Sequence, residues 1–225
     1  MKVFLLIIVA MILVSCTEQA DIPIVETEPE PEPLVNITEP VLVQPQMNSE
    51  LKALIAKADK VKGMEYNLKS TEQVAFYKVS GAKTKISFSQ RQKHNDYWYF
   101  DIYLDDEKQI AYLACAKDTD CDGKKTAMEA SYNKYKTTET PLGIIEKLTV
   151  GEITERTQID NRATAVVSYV WDNMPTKLWL WEYYGLPLRK QYVENGVTKT
   201  IDYANLVVRT VLESEVSLPA ALEII

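Results

Sequence analysis

The chain has 225 residues, enough for one domain or two small ones, with 46% apolar and 25% charged side chains. That apolar share can build a real core. The net charge of −7 excludes the basic footprint of a nucleic-acid binder, and it is unevenly spread along the chain.

Residues 1–16 are MKVFLLIIVAMILVSC: one cation, Lys2, then an unbroken apolar run from Val3 to Val14. A membrane-spanning helix needs roughly 20 such residues, so this shorter run has the form of a secretory signal. It ends in Leu13-Val14-Ser15-Cys16, which resembles the lipobox of bacterial and archaeal lipoproteins, where a small residue precedes an invariant cysteine. That resemblance implies a signal peptide over 1–15, lipidation of the Cys16 thiol, and a tether to the outer face of the cytoplasmic membrane or of another envelope membrane. One acyl chain binds only marginally, so a stable tether implies two or more. The plainer alternatives are an ordinary signal with a chance cysteine, or an uncleaved anchor. Export leaves Cys115 and Cys121 as an even pair in an oxidising compartment, where a disulfide is expected.

Residues 16–46 are expected to be the lipidated cysteine and a disordered acidic spacer. From residue 17 on they hold seven acids, six prolines and no basic residue, with Glu28-Pro29-Glu30-Pro31-Glu32-Pro33 at the centre. Proline fixes φ and removes donors, and like charges repel, so the segment stays extended and solvated. Asn36-Ile37-Thr38 is a glycosylation sequon within it. Setting aside the spacer's acids and Lys2 leaves −1 for residues 47–225. A nearly neutral domain has neither a nucleic-acid footprint nor a basic patch for anionic lipid.

The folded domain is expected over 47–225. Residues 48–63 predict one amphipathic helix, with Leu51, Leu54, Ile55, Ala58 and Val61 at helical spacing, a cap at Asn48 or Ser49 and a stop at Gly63. Strands are predicted over 73–80, 83–90, 96–104, 109–116, 126–135, 151–160, 162–171, 177–184, 187–194 and 197–203, all rich in residues that suit a pleated surface. Asn195-Gly196 is the strongest hairpin signal among the breaks. Thr140–Leu148 predicts a short helix with Pro141 in its first turn. The order describes an α+β domain built on an antiparallel meander. Trp179, Trp181 and Tyr183 alternate with Leu178, Leu180 and Tyr184. Tyr97, Tyr99 and Tyr103 likewise oppose Trp98, Phe100, Ile102 and Leu104. Strands apolar on both sides have both faces covered.

Leu178-Trp179-Leu180-Trp181-Glu182-Tyr183-Tyr184-Gly185-Leu186-Pro187-Leu188-Arg189 resembles the strand, turn, Gly-Leu-Pro-Leu, strand passage of the Lol-type lipoprotein carrier superfamily. A hairpin, a segment like Tyr203–Val208 and a closing Ser217-Leu218-Pro219 follow in the same order. The resemblance implies a curved antiparallel sheet, an unclosed β half-barrel, with an N-terminal helix and a short helix over its concave face. It also implies lipid or acyl-chain binding in the hollow, or a sensor role, and transfers no individual binding residue. The Cys115–Cys121 insert and the long acidic spacer depart from the pattern, and a tethered protein does not shuttle between membranes.

Asp118-Thr119-Asp120-Cys121-Asp122-Gly123, followed by Glu129, places acids at positions 1, 3, 5 and 12 of a calcium-loop register, with glycine at 6. Lys124, Lys125 and the strand-like flanks oppose that reading, and a stapled hairpin tip with solvated acids accounts for the same residues. No other cofactor is expected. The single histidine, His94, lies in a polar run predicted as a loop, which excludes multi-histidine zinc sites and offers no nucleophile elbow. No enzyme is therefore expected. Trp179, Trp181, Tyr183, Tyr97, Tyr99 and Tyr103 are the candidate wall of a hydrophobic groove, with core packing as the plain alternative. Two functions follow: a lipid-tethered module holding a lipid or other apolar ligand, or an envelope interaction lipoprotein with a filled core and a protein partner.

Overall fold

The computed structural model describes residues 47–70, 74–116, 121, 125–137 and 139–225. The expectations for Cys16, Asn36, Asp118, Asp120 and Asp122 lie outside the described residues.

The helix expected over 48–63 is broken in two. Asn48 caps α1 (Ser49–Ile55), its side-chain oxygen accepting from the Leu51 N–H at 2.8 Å. A 3₁₀ turn, Ala58–Lys60, follows. Gly63 does not stop a helix; it opens β1 (Gly63–Lys69). There the backbone passes so near the Arg209 carbonyl that a Cβ would sit 2.6 Å from it. Long-range strand pairing overrides the local helical periodicity at that point.

Next come β2 (Val74–Ser80), β3 (Lys83–His94), β4 (Tyr97–Asp105), β5 (Ile110–Cys115) and β6 (Thr126–Ser131). The strand predicted through 135 ends at Ser131 and turns into α2 (Tyr132–Tyr135), then α3 (Pro141–Lys147). The Thr140 hydroxyl oxygen caps α3 by accepting from the Gly143 N–H at 3.0 Å. Five more strands follow: β7 (Glu152–Ile159), β8 (Arg162–Trp171), β9 (Met174–Trp181), β10 (Pro187–Glu194) and β11 (Val197–Val208). A last turn, α4 (Glu213–Val216), leads to β12 (Glu223–Ile224). Asp160-Asn161, Asp172-Asn173 and Asn195-Gly196 hold positive φ at both positions, the type I′ geometry whose twist matches a two-residue hairpin.

The twelve strands among the described residues form one sheet in the order β12-β6-β5-β4-β3-β2-β1-β11-β10-β9-β8-β7. Every pairing is antiparallel except the short β12–β6 contact, which is parallel. The two ends, β12 and β7, are separate edges, so the sheet is unclosed. This is the α+β antiparallel sheet that the residues predict and the unclosed half-barrel that the resemblance implies. Met64, Tyr66 and Leu68 of β1 and Leu178 and Leu180 of β9 are buried on the concave face, packed with Leu51 and Leu54 of α1 and Ile144 and Ile145 of α3. Each such side chain contributes roughly 1.5–3 kcal/mol on burial. Helices this short are marginal alone, so that packing is what keeps them folded.

The C-terminal segment straps the convex face. The Glu215 carboxylate accepts from Lys78 Nζ at 2.7 Å and from Arg209 at 2.9 Å, and Arg209 also reaches Glu65 at 2.7 Å. Farther on, Leu218 and Leu222 join Tyr103, Ala114 and Ala127 in a second apolar cluster. The Ile225 N–H then donates to the Ala127 carbonyl at 2.9 Å. The strap thereby covers the outer edge of β6, a protected edge in a sheet that would otherwise expose it.

Candidate functional site

The concave face is filled at one part and hollow at another. A cavity of about 960 Å³ lies between β1–β4 and β10–β11, with Lys134, Tyr135, Lys136, Thr137 and Glu139 over it. Leu68, Ile86, Phe88, Tyr99, Ile102 and Ile201 provide its apolar lining, while Gln90, Gln92, Lys134, Lys136, Glu194 and Lys199 provide polar and charged groups. Such a surface suits a molecule with an apolar body and a polar end. Tyr135 and Tyr99 meet edge to face, ring centroids 6.3 Å apart. Burial pushes both phenols up, Tyr135 to about 12, so they remain neutral hydrogen-bonding groups.

Tyr132, Lys134, Tyr135 and Glu139 are each held in place. The Tyr132 hydroxyl donates to Asp106 at 2.5 Å. Tyr135 and Lys134 lie 2.7 and 3.0 Å from His94 Nδ1. His94 is the last residue of β3 rather than part of a loop. The Tyr203 hydroxyl donates to the Glu139 carbonyl at 2.8 Å. The Lys190 ammonium donates to both oxygens of the Glu139 carboxylate, at 2.9 and 3.1 Å. Lys190 is 3% exposed and Glu139 33%, so the carboxylate lines the cavity with the ammonium behind it. Ring faces of Trp171 and Tyr192 lie 4.5 and 5.0 Å from the same Nζ. Sequence reasoning passed over Lys190. The available signal was alternation: Leu188, Lys190 and Tyr192 share one face of a strand, which puts a lysine among inward apolar residues.

Of the six aromatics expected to form a groove wall, only Tyr99 lines the cavity. Tyr97 packs at the margin of the concave cluster, its hydroxyl donating to the Thr126 carbonyl at 2.8 Å. Tyr103 faces the opposite way, into the convex cluster. The cause is a bulge: five steps of β3, Ser87 to Gln92, face two steps of β4, Tyr99 to Asp101. Beyond it Ile102 and Leu104 take the inward positions, reversing the parity that strict alternation assumes. Leu178 and Leu180 point inward, which leaves Trp179 on the outer face with the Arg189 guanidinium 5.9 Å from its ring. Trp181 packs at the cluster margin under the Arg162 guanidinium at 4.4 Å. Tyr183 lies beyond the strand and is 71% exposed.

Cys115 and Cys121 form the expected disulfide. Glu129 sits exposed on β6, opposite Tyr112. Among the described residues no cluster of His, Cys, Asp and Glu could hold a metal ion, and no helix is long and apolar enough to cross a membrane.

No protein-family model and no curated protein matches the chain. Among solved structures it is similar to LprF from Mycobacterium bovis, at 11% identity and a TM-score of 0.49, covering 72% of this chain and 93% of that one. It is similar to the Mycobacterium tuberculosis lipoprotein LppX at 10% identity and a TM-score of 0.45, covering 72% and 95%. A LolA superfamily protein from Nitrosomonas europaea aligns at 9% identity and a TM-score of 0.29, covering 75% and 97%. The half-barrel architecture follows from this chain's own strand order.

Proposed function

We propose that this chain is an exported lipoprotein, cut before Cys16 and anchored through lipid on that thiol, whose half-barrel binds a lipid or another apolar ligand. The observation that carries the binding half is the cavity of about 960 Å³ lined by apolar side chains together with polar and charged ones. Sites for small ligands span roughly 300–1,000 Å³, so the hollow is large enough for a long-chain amphiphile. The reading is of binding rather than catalysis, since the one imidazole is engaged by Lys134 and Tyr135.

Native mass spectrometry of the full chain, extracted gently from its host, tests the binding half. A bound amphiphile, or uptake of one offered, is expected; a chain that never carries or takes up any would refute the reading. The anchor is tested separately. Cys16→Ser should be released from membranes while the native chain stays bound, and equal retention of both would discard the lipid tether.

A further inference from the structure

A buried ammonium is costly unless it is paired and hydrogen-bonded. Lys190 has the Glu139 carboxylate, and both oxygens of that carboxylate are engaged on it. Glu139 is supplied by the crossing segment just before α3, not by the sheet that carries Lys190. Other donors stand nearby. The Tyr203 hydroxyl holds the Glu139 carbonyl. The Tyr169 hydroxyl is buried with no hydrogen-bond partner among the described residues. Burial and then the Glu139 charge hold the Tyr169 phenol well above its ordinary range. A neutral buried hydroxyl without a partner is destabilising, so this corner carries more donor capacity than Glu139 uses. Glu139 and Tyr192, which both touch the Lys190 ammonium, line the cavity.

We infer that Glu139 occupies the place of a ligand's own carboxylate, and that the cavity takes an amphiphile with a carboxylate head, such as a long-chain fatty acid. The head displaces the Glu139 side chain and accepts from Lys190 and Tyr169, while the tail lies along Ile86, Phe88 and Tyr99. The inference deepens the apolar-ligand reading and rests on it. The occupant is committed by charge: a desolvated cation flanked by two aromatic rings favours an anion over a neutral head. Leu68, Ile86, Phe88, Ile102 and Ile201 in the lining favour a carboxylate that carries a tail over a free one.

The test offers the full exported chain, stripped of bound material, either palmitic acid or methyl palmitate in mildly alkaline buffer, read by native mass spectrometry. The acid should bind at least about tenfold tighter than the ester, the scale of one charge-assisted hydrogen bond. Glu139→Gln removes the internal competitor, so it should tighten the acid by about a further tenfold and leave the ester unchanged. The pair Lys190→Met with Glu139→Gln removes both charges together, avoids a lone buried ion, and should bind acid and ester alike. Excess acetate should leave bound palmitate in place. Equal binding of acid and ester by the native chain and by Glu139→Gln would overturn the carboxylate site and leave the apolar-ligand reading standing. Binding of neither would overturn both. Displacement of palmitate by acetate would replace the amphiphile site with one for a tail-less anion.

Discussion

Tyr66 lies flat against Tyr77, ring centroids 4.9 Å apart and planes 9° from parallel, and Tyr203 meets the same ring edge-on at 5.6 Å. This stack fills part of the hollow, and the open cavity reaches it at Tyr77. Tyr66 is fully buried, and its hydroxyl has no partner among the described residues.

Removing a buried hydroxyl that satisfies nothing should cost little. Tyr66→Phe is therefore expected to unfold within about 1 kcal/mol of the native chain, or to be more stable. Tyr66→Ala should lose about 3–5 kcal/mol by opening a void in the stack. Denaturant unfolding of both variants decides it; a loss above about 2 kcal/mol in Tyr66→Phe would show that the hydroxyl is bonded after all.

Gly185 has φ of +69°, and a Cβ there would lie 2.3 Å from the Leu54 carbonyl oxygen. The turn after β9 and the end of α1 thus meet backbone to backbone. Gly185→Ala combines a left-handed conformation with an immovable clash, and should cost at least about 2 kcal/mol. Hydrogen exchange should quicken first in α1. A thermal midpoint equal to that of the native chain would mean that this contact does not form.

The Cys115–Cys121 disulfide closes a short loop. Loop-closure entropy for so few residues gives about 2 kcal/mol, on a model that ignores enthalpy. Substituting both cysteines with serine should lower unfolding free energy by that order and leave ligand uptake intact, because neither residue lines the cavity. Indifference of the native chain's stability to a reductant under non-denaturing conditions that demonstrably cleave the bond would contradict it.

The Glu215 carboxylate is held well below the ordinary carboxylate range, first by hydrogen bonds from Arg209 and Lys78, then by the Leu212 N–H. A folded-state value below the unfolded one stabilises fully above the unfolded pKa, about 4.3, and the contribution drains away as the pH falls through the folded value. Glu215→Gln should accordingly melt below the native chain at neutral pH, with the gap shrinking as the solution becomes strongly acidic. A gap that stays constant across that range would remove the ion pairs as its cause.

Some of this protein was legible in short stretches of chain. Asn195-Gly196 and Asp160-Asn161 turn where their chemistry predicts, Thr140-Pro141 begins a helix, and the runs 162–171 and 187–194, set off by such turns, are strands at their predicted bounds. These are local properties, decided by which φ, ψ and capping bonds a few neighbouring residues favour.

The site was decided by tertiary structure. The β3 bulge turned Tyr103 outward, and the paired sheet put Trp179 on the outer face and left Tyr99 alone of the six aromatics in the cavity. Glu139 and Lys190 stand 51 positions apart, and nothing local to either says that they meet. Strand periodicity assigns a residue to one of two faces but not to the face that closes over the hollow; that follows only when distant segments pack, because burial is a property of the neighbours a residue acquires.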